Sequence, residues 1–300
     1  MTQVSFPGLG IGPFEINGVA FKLFGLEVAW YGVLITVGMI LAFVYCMRWA
    51  KYEGIKSDDM LDLAILVVIL SITGARLYYV IFELEHFIAT GGTFWQNFGQ
   101  TFLNIINIRD GGLAIYGGVL GGFFSALIIS KNRKIRFPIL LDTLVGGVLI
   151  GQIVGRWGNF MNVEAYGYET KLPWRMGINR ITAGGLHSSY MEVHPTFLYE
   201  SLWNLVGFLL MTLFYKKKKF HGQHFAFYLI WYGAGRAVIE GFRTDSLWLF
   251  GEGSIRVSQA VGIITCFIGL VIAVVGILRV YKGIDIWGIF VSKLPKKRKH

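Results

Sequence analysis

Charge is scarce in this chain. Only 15% of its 300 residues are Asp, Glu, Lys or Arg, where soluble domains carry about 25%, and a disordered chain would need the opposite balance of charged and apolar residues. Cysteine is nearly absent. The two present, Cys46 and Cys266, form no CxxC pair and no metal-ligand spacing, and each sits in an apolar stretch, so both read as buried thiols. No Lys or Arg precedes Lys22, so the basic start of a cleavable signal peptide is missing and none is expected. The 39 glycines follow no G-X-Y period, which excludes a collagen. There is no GxSxG elbow, no HExxH, no Walker loop and no dinucleotide fingerprint, and no Asp/His/Cys cluster with metal spacing. An enzyme built from this sequence would use neither a protein nucleophile nor a metal, and no cofactor is expected. Its substrates would bring the reacting groups, and the protein would orient them and stabilise charge.

What the chain does have is apolar length. Apolar side chains make up 54% of it, with a mean hydropathy of +0.56. A bilayer core needs about 20 mostly apolar residues per helix, and seven runs qualify: 26–48, 58–82, 113–130, 138–158, 196–215, 223–242 and 257–280. Basic clusters give the orientation. Arg48, Lys51 and Lys56 follow the first run; Lys131, Arg133, Lys134 and Arg136 the third; Lys216–Lys219 the fifth; and Arg279, Lys282, Lys293 and Lys296–Lys299 the seventh. All fall on one face of a seven-span arrangement, which the positive-inside rule makes cytoplasmic. The expectation is an all-α, multi-pass membrane protein, with its N-terminus outside and its C-terminus on the cytoplasmic side. Residues 1–283 form a single transmembrane domain and 284–300 a basic cytoplasmic tail. Topology accounts for KKRKH, so no nucleic acid is expected. Two insertions face outward: an aromatic-rich interfacial arm at 84–110 and a small extracytoplasmic head at 160–195. No inverted repeat is visible, which weakens a transporter reading.

Three arginines remain where a bilayer makes charge expensive: Arg76, Arg156 and Arg236, each in the outward half of its span. A planar guanidinium fork suits a phosphate, so their convergence in one leaflet suggests an anion site. The alternative is internal pairing with Glu83, Glu164, Glu200 or Glu240; Glu240 follows Arg236 by four and shares its helix face. In GRWGNFMNVEAYG, Gly155–Gly167, Arg156 and Asn159 are three apart. The glycines beside them leave room for a ligand or a neighbouring backbone, and Asn162 and Glu164 add polar groups where the chain leaves the membrane. This segment describes either a lipid-headgroup pocket or an Asn-capped helix end. Tyr116 in RDGGLAIYGGVLGG, Tyr31 in AWYG and Tyr232 in WYGAGR each sit among small residues, as site groups or as interfacial anchors. His194, before Pro195, reads as a cap or hydrogen-bond partner more readily than as a base.

Together these segments resemble the prolipoprotein diacylglyceryl transferases, whose signature reads G-R-x-G-N-F-x-N-x-E-x-x-G. Gly155, Arg156, Gly158, Asn159, Phe160, Asn162, Glu164 and Gly167 match it; Val163 stands where the family usually has Gly. AWYG, GARLYYV, RDGGLAIYGG, HPTFLYES and WYGAGRAVIEGFR follow in the family's order, so the resemblance covers residues 26–280. It implies transfer of the diacylglyceryl group of phosphatidylglycerol to the lipobox cysteine of a prolipoprotein signal peptide, with membrane lipids as further partners. A thioether forms and glycerol phosphate leaves. By position it implies catalytic roles for Arg156, Arg236, Tyr31 and Glu164. Phosphatidylglycerol contacts are implied for Arg156, Asn159, Arg76, Tyr116, Gly167, Tyr232, Glu240 and His194. Many family members carry His, a proposed base, where this chain has Tyr116. A Tyr titrates near pH 10, so either the base lies elsewhere or arginines lower the thiol's pKa unaided, which is the reading favoured. The competing classes are a small anion transporter, which should expose its site to both faces, and a lipid-binding protein, which would not need so many Arg, Tyr and Glu near one leaflet.

Overall fold

The computed structural model describes residues 2–108, 111–181, 188–251 and 253–282. Arg109, the glycines Gly184 and Gly185 of the expected head, and the tail 284–300 lie outside them. Eight α-helices carry the described residues: α1 (Trp30–Glu53), α2 (Ser57–Phe82), α3 (Phe94–Ile106), α4 (Ile115–Asn132), α5 (Phe137–Met161), α6 (Thr196–Phe214), α7 (Gln223–Ile239) and α8 (Val257–Lys282). Five of the helical segments are long and apolar enough to cross a membrane: α1, α2, α5, α8, and α6 with the turn that extends it to Lys217. The other two expected spans are helices as well, but α4 has 18 residues and α7 has 17. Lys131 and Asn132 end the first of these, and the second tightens into a 3-10 turn at Glu240–Phe242. Both fall short of the roughly 20 residues a bilayer core demands.

The expectation of an all-α chain is corrected. Strands β1 (Thr2–Phe6), β2 (Ile11–Ile16), β5 (Met176–Ile181) and β6 (Ser188–Val193) form a four-stranded sheet in the order β2-β1-β5-β6, and β3 (Val19–Leu23) pairs with β4 (Leu26–Ala29). β1 lies antiparallel to both neighbours, with Val4 opposite Phe14 on one side and Ile178 on the other. Its short alternating sequence TQVSF is too brief to announce a strand without that distant partner. The first span therefore starts at Trp30, because 26–29 belong to β4.

The chain divides into two compact units, Met1–Cys46 with Leu141–His300, and Met47–Leu140. In the second, α2 and α4 pack backbone to backbone. A Cβ on Gly117 would overlap the Gly74 carbonyl, and Ser125 Oγ donates to the Leu66 carbonyl at 3.2 Å. Helix α3 starts with the Thr93 N–H donating to Gln96 Oε1 at 3.0 Å and leaves Phe94, Trp95, Phe98 and Phe102 exposed. In the first unit, Gly262, Gly269 and Gly276 recur every seven residues along one buried stripe of α8. α7 presses on that stripe, so that a Cβ on Gly269 would lie 2.8 Å from the Ala226 carbonyl oxygen. Val4, Val163, Met176, Ile178, Val193 and Phe197 build the core under the sheet. Asp142, fully buried, accepts the N–H groups of Gly222, His224 and Phe225 at 2.9, 2.9 and 3.0 Å. It thereby satisfies donors that the start of α7 would otherwise leave orphaned. Cys46 is a buried free thiol; Cys266 is free and only half-buried.

Candidate active site

The polar end of α5 faces α6 and α7 within the first unit. Arg156 Nη2 donates to Glu200 Oε1 at 2.5 Å and Nη1 to Asn159 Oδ1 at 3.2 Å. The other oxygen of Glu200 accepts from Arg236 Nη1 at 3.0 Å. Arg236 Nη2 is 2.7 Å from Glu240 Oε2 and donates to Ser258 Oγ at 3.2 Å. Arg243 continues the chain, with Nε 4.0 Å from Glu240 and two hydrogen bonds to Asp245 at 2.9 and 2.8 Å. Arginines and carboxylates thus alternate along one line. The carboxylate Glu200 is 3% exposed while Arg156 and Arg236 keep 18% and 14%, so the cations, and not the anion between them, meet the surroundings. Internal pairing and an anion site are therefore compatible: a ligand phosphate could reach the outer edges of two guanidinium groups whose inner edges are fixed.

The signature segment turns sharply beside this line. Asn159 Nδ2 and Asn162 Nδ2 both donate to Glu164 Oε1, at 2.8 and 3.3 Å, so Asn159 connects Arg156 to Glu164. Val163 and Ala165 hold φ of +50° and +56°, a left-handed backbone that a β-branched residue rarely adopts. That is why a Gly suits the position where this chain has Val163. Gly167 is pinned by its N–H to the His194 carbonyl at 2.9 Å, and a Cβ there would lie 2.7 Å from both His194 Cβ and the Phe242 carbonyl oxygen. His194 Nδ1 meets Tyr199 Oη at 3.1 Å, and Tyr199 in turn accepts from Trp174 Nε1 at 2.8 Å. Burial holds the His194 imidazole below its ordinary pKa, which favours the neutral hydrogen-bond partner. The Tyr31 ring lies on Gly158, whose Cβ would be 2.7 Å from Tyr31 Cδ2. Tyr232 neighbours Glu200, Arg236 and Arg156 and stacks on Tyr228 at 5.6 Å.

A sequence model described as prolipoprotein diacylglyceryl transferase matches residues 18–275. The chain belongs to this family. Its relatives include three curated proteins named phosphatidylglycerol--prolipoprotein diacylglyceryl transferase. The one from Finegoldia magna is 42% identical over 260 residues, covering 86% of this chain and 95% of its own. The one from Clostridioides difficile is 41% identical over 256 residues, covering 85% and 94%. The Streptococcus agalactiae serotype Ia protein is 41% identical over 264 residues, covering 86% and 95%.

Against this family background, two expected headgroup ligands lie in the second unit and Arg76 is held differently from the expectation. Its five N–H bonds all go to backbone carbonyls. Nε donates to Ile105 at 2.7 Å, Nη1 to Gly111 and Gly112 at 2.9 and 3.0 Å, and Nη2 to Asn104 and Asn107 at 2.8 and 2.5 Å. A guanidinium has five donors, so this arrangement leaves none for a phosphate, and Arg76 fastens the end of the arm. Tyr116 is half-buried, its ring 6.2 Å from that of Tyr78. Sequence reasoning named Glu200 only as a pairing partner and missed its central place. Arg243, Asp245 and Arg256 were also missed. Arg256 donates to the Glu240 carbonyl and to Tyr168 Oη, and stacks over Trp248. The spacing of Glu240, Arg243 and Asp245 along EGFRTD could have flagged the first two. Among the described residues no three His, Cys, Asp or Glu side chains gather into a metal-holding group.

Proposed function

We propose that this chain transfers the diacylglyceryl group of phosphatidylglycerol to the thiol of a lipobox cysteine in a prolipoprotein signal peptide. One observation carries the reading beyond family membership: Arg156 on α5 and Arg236 on α7 share the two oxygens of one buried carboxylate, Glu200. The cysteine sulfur attacks the glyceryl carbon that bears the phosphate. The C–S bond forms as the C–O bond breaks, and the electron pair leaves on glycerol phosphate, which takes up or releases to solvent the proton the thiol has lost. The phosphodiester carries one negative charge and gains more as the bond breaks. Cations aimed at it therefore stabilise the transition state more than the bound lipid. The same cations favour the thiolate over the thiol, so a dedicated base is not required. Tyr116→Phe should then keep full turnover, and loss of turnover would restore a role for the hydroxyl. Asn159, itself bonded to Glu164, holds the Arg156 nitrogen that Glu200 does not, and Gly167, Tyr31, Tyr232, Glu240 and His194 are the neighbouring residues this reading assigns to phosphatidylglycerol.

In the same reading the chain crosses the bacterial cytoplasmic membrane seven times, with α4 and α7 as short spans. The N-terminal sheet lies outside and the basic tail inside, and α3 rests its aromatic face on the outer leaflet. The test is direct: purified protein, phosphatidylglycerol and a lipobox peptide are incubated together, and the peptide is weighed by mass spectrometry. A gain of one diacylglyceryl group is expected. Arg156→Ala and Arg236→Ala should each lower transfer at least about a hundredfold, the scale of a lost charge-stabilising donor. An unmodified peptide would favour the transporter or lipid-binding classes.

A further inference from the structure

Helices α6 and α7 are joined by a device that the reaction as described does not use. Trp203 on α6 and Trp231 on α7 stack with centroids 4.4 Å apart and planes 19° from parallel. Each indole N–H donates to the backbone carbonyl of the other tryptophan: Trp203 Nε1 to Trp231 O at 2.9 Å, and Trp231 Nε1 to Trp203 O at 2.9 Å. Each tryptophan is followed, four residues on, by a glycine, as W-N-L-V-G and W-Y-G-A-G. Each indole covers the other helix's glycine: a Cβ on Gly235 would overlap Trp203 at Nε1, and a Cβ on Gly207 would overlap Trp231 at the same atom. Residue 203 therefore opposes 235 and 207 opposes 231, which makes the pair antiparallel and self-reciprocal. Both indoles are half-buried, and an indole N–H turned away from water needs a partner; here that partner fixes translation along the helix axes while the glycines fix the separation.

The position of the clasp gives it a consequence. Glu200 lies one turn from Trp203 on α6, and Arg236 directly follows Gly235 on α7. The Glu200–Arg236 contact of 3.0 Å, and with it the hold of Glu200 on Arg156, depends on the register the clasp sets. We propose that Trp203 and Trp231, with Gly207 and Gly235, are positioning residues of the transfer reaction, keeping Glu200 across Arg156 and Arg236. The proposal rests on the transferase reading above.

The experiment measures kcat and the KM for phosphatidylglycerol with a lipobox peptide, normalised to monodisperse folded protein, beside thermal unfolding. Trp203→Phe deletes one N–H and keeps a ring. It should lower kcat about fivefold, on the order of one hydrogen bond, with KM within about twofold, since the arginines act mainly on the charge that develops in the transition state. Gly235→Ala should lower kcat at least about tenfold; adding Trp203→Leu, which removes the overlapping ring, should raise it to the level of Trp203→Leu alone, while adding Trp231→Leu should not raise it. Gly207→Ala should be raised to the level of Trp231→Leu alone by adding Trp231→Leu and not by adding Trp203→Leu. On a Glu200→Asp background, which keeps the charge and shortens the reach, Trp203→Phe should cost little more, because residues acting through one contact are not additive. If wild-type protein transfers and the variants stay within about twofold of it, the clasp proposal fails alone. Rescue of either glycine variant by both leucine substitutions, or additivity with Glu200→Asp, overturns it equally. If wild-type protein does not transfer, the transferase reading fails and takes the proposal with it.

Discussion

Replacing Glu200 by Gln removes one negative charge and changes the shape of the side chain very little. In the native chain that charge sits between Arg156 at 2.5 Å and Arg236 at 3.0 Å, and the carboxylate is 3% exposed. Removing one partner of a buried ion pair costs about 3–5 kcal/mol, because the remaining charge stays desolvated. Arg236 keeps Glu240, and the two arginines are 14% and 18% exposed, so the lower end applies, about 3 kcal/mol. At roughly 2–4 °C per kcal/mol for a protein of this size, Tm should fall by about 6–12 °C. The variant also carries one uncompensated cation where a phosphate would bind. Glycerol phosphate should therefore raise its Tm by more than it raises that of the wild type, since a ligand stabilises the state it binds. The assay is thermal unfolding of purified protein in detergent across a glycerol phosphate titration. A variant that melts within about 2 °C of wild type, where about 3 kcal/mol is expected, with no larger response to the anion, would refute the claim that Glu200 holds two half-buried arginines.

Three further outcomes follow from the geometry. At Val163, with φ of +50° and 7% exposure, Val163→Gly should destabilise less than Val163→Ala by about 1 kcal/mol, reversing the usual order because only Gly escapes the left-handed strain; chemical denaturation of the two variants decides it. Arg76→Lys has at most three donors for five carbonyls, so residues 104–108 should lose amide-exchange protection by about 3 kcal/mol, with equal protection in both proteins counting against the clamp. Stability should also fall on acidification in two windows. A depressed His194 pKa means the unfolded chain binds its proton first, so stability drops as pH falls below about 6.5. At Asp245, burial pushes the carboxyl up, but the hydrogen bonds and charge of Arg243 outweigh it and leave the group below its ordinary value. Its contribution is present above about pH 4 and is lost as pH falls through the folded pKa. His194→Gln should remove the first window only, read from unfolding between pH 7 and 5.

Local spacing made part of this site legible. Arg236 and Glu240 are four apart on one helix, and Arg156 and Asn159 three apart; both pairs meet as the helical period requires. The residue that joins these pairs was not legible as such. Glu200 is 44 residues from Arg156 and 36 from Arg236, and no periodicity relates positions on different helices. The hold on Arg76 was not legible for a different reason. A charge in an apolar run demands a partner, but its acceptors are backbone carbonyls, which every sequence possesses and none advertises. The long helices were visible as apolar runs, while β1 (Thr2–Phe6) depends on the sequence-distant β5 (Met176–Ile181) and gives no signal alone. W-N-L-V-G and W-Y-G-A-G were plain in the sequence; that each tryptophan covers the other's glycine became apparent only with α6 and α7 side by side.

The central claim is that this chain couples breakage of the phosphatidylglycerol C–O bond to formation of a thioether, at Arg156, Glu200 and Arg236. The most direct measurement counts both products in one vessel: diacylglyceryl peptide by mass spectrometry and glycerol phosphate by enzymatic assay, from phosphatidylglycerol and a lipobox peptide. The account predicts that the two appear together in equal amounts, and that both fall together in Arg156→Ala. Glycerol phosphate released while the peptide stays unmodified, or no release of either, would contradict it.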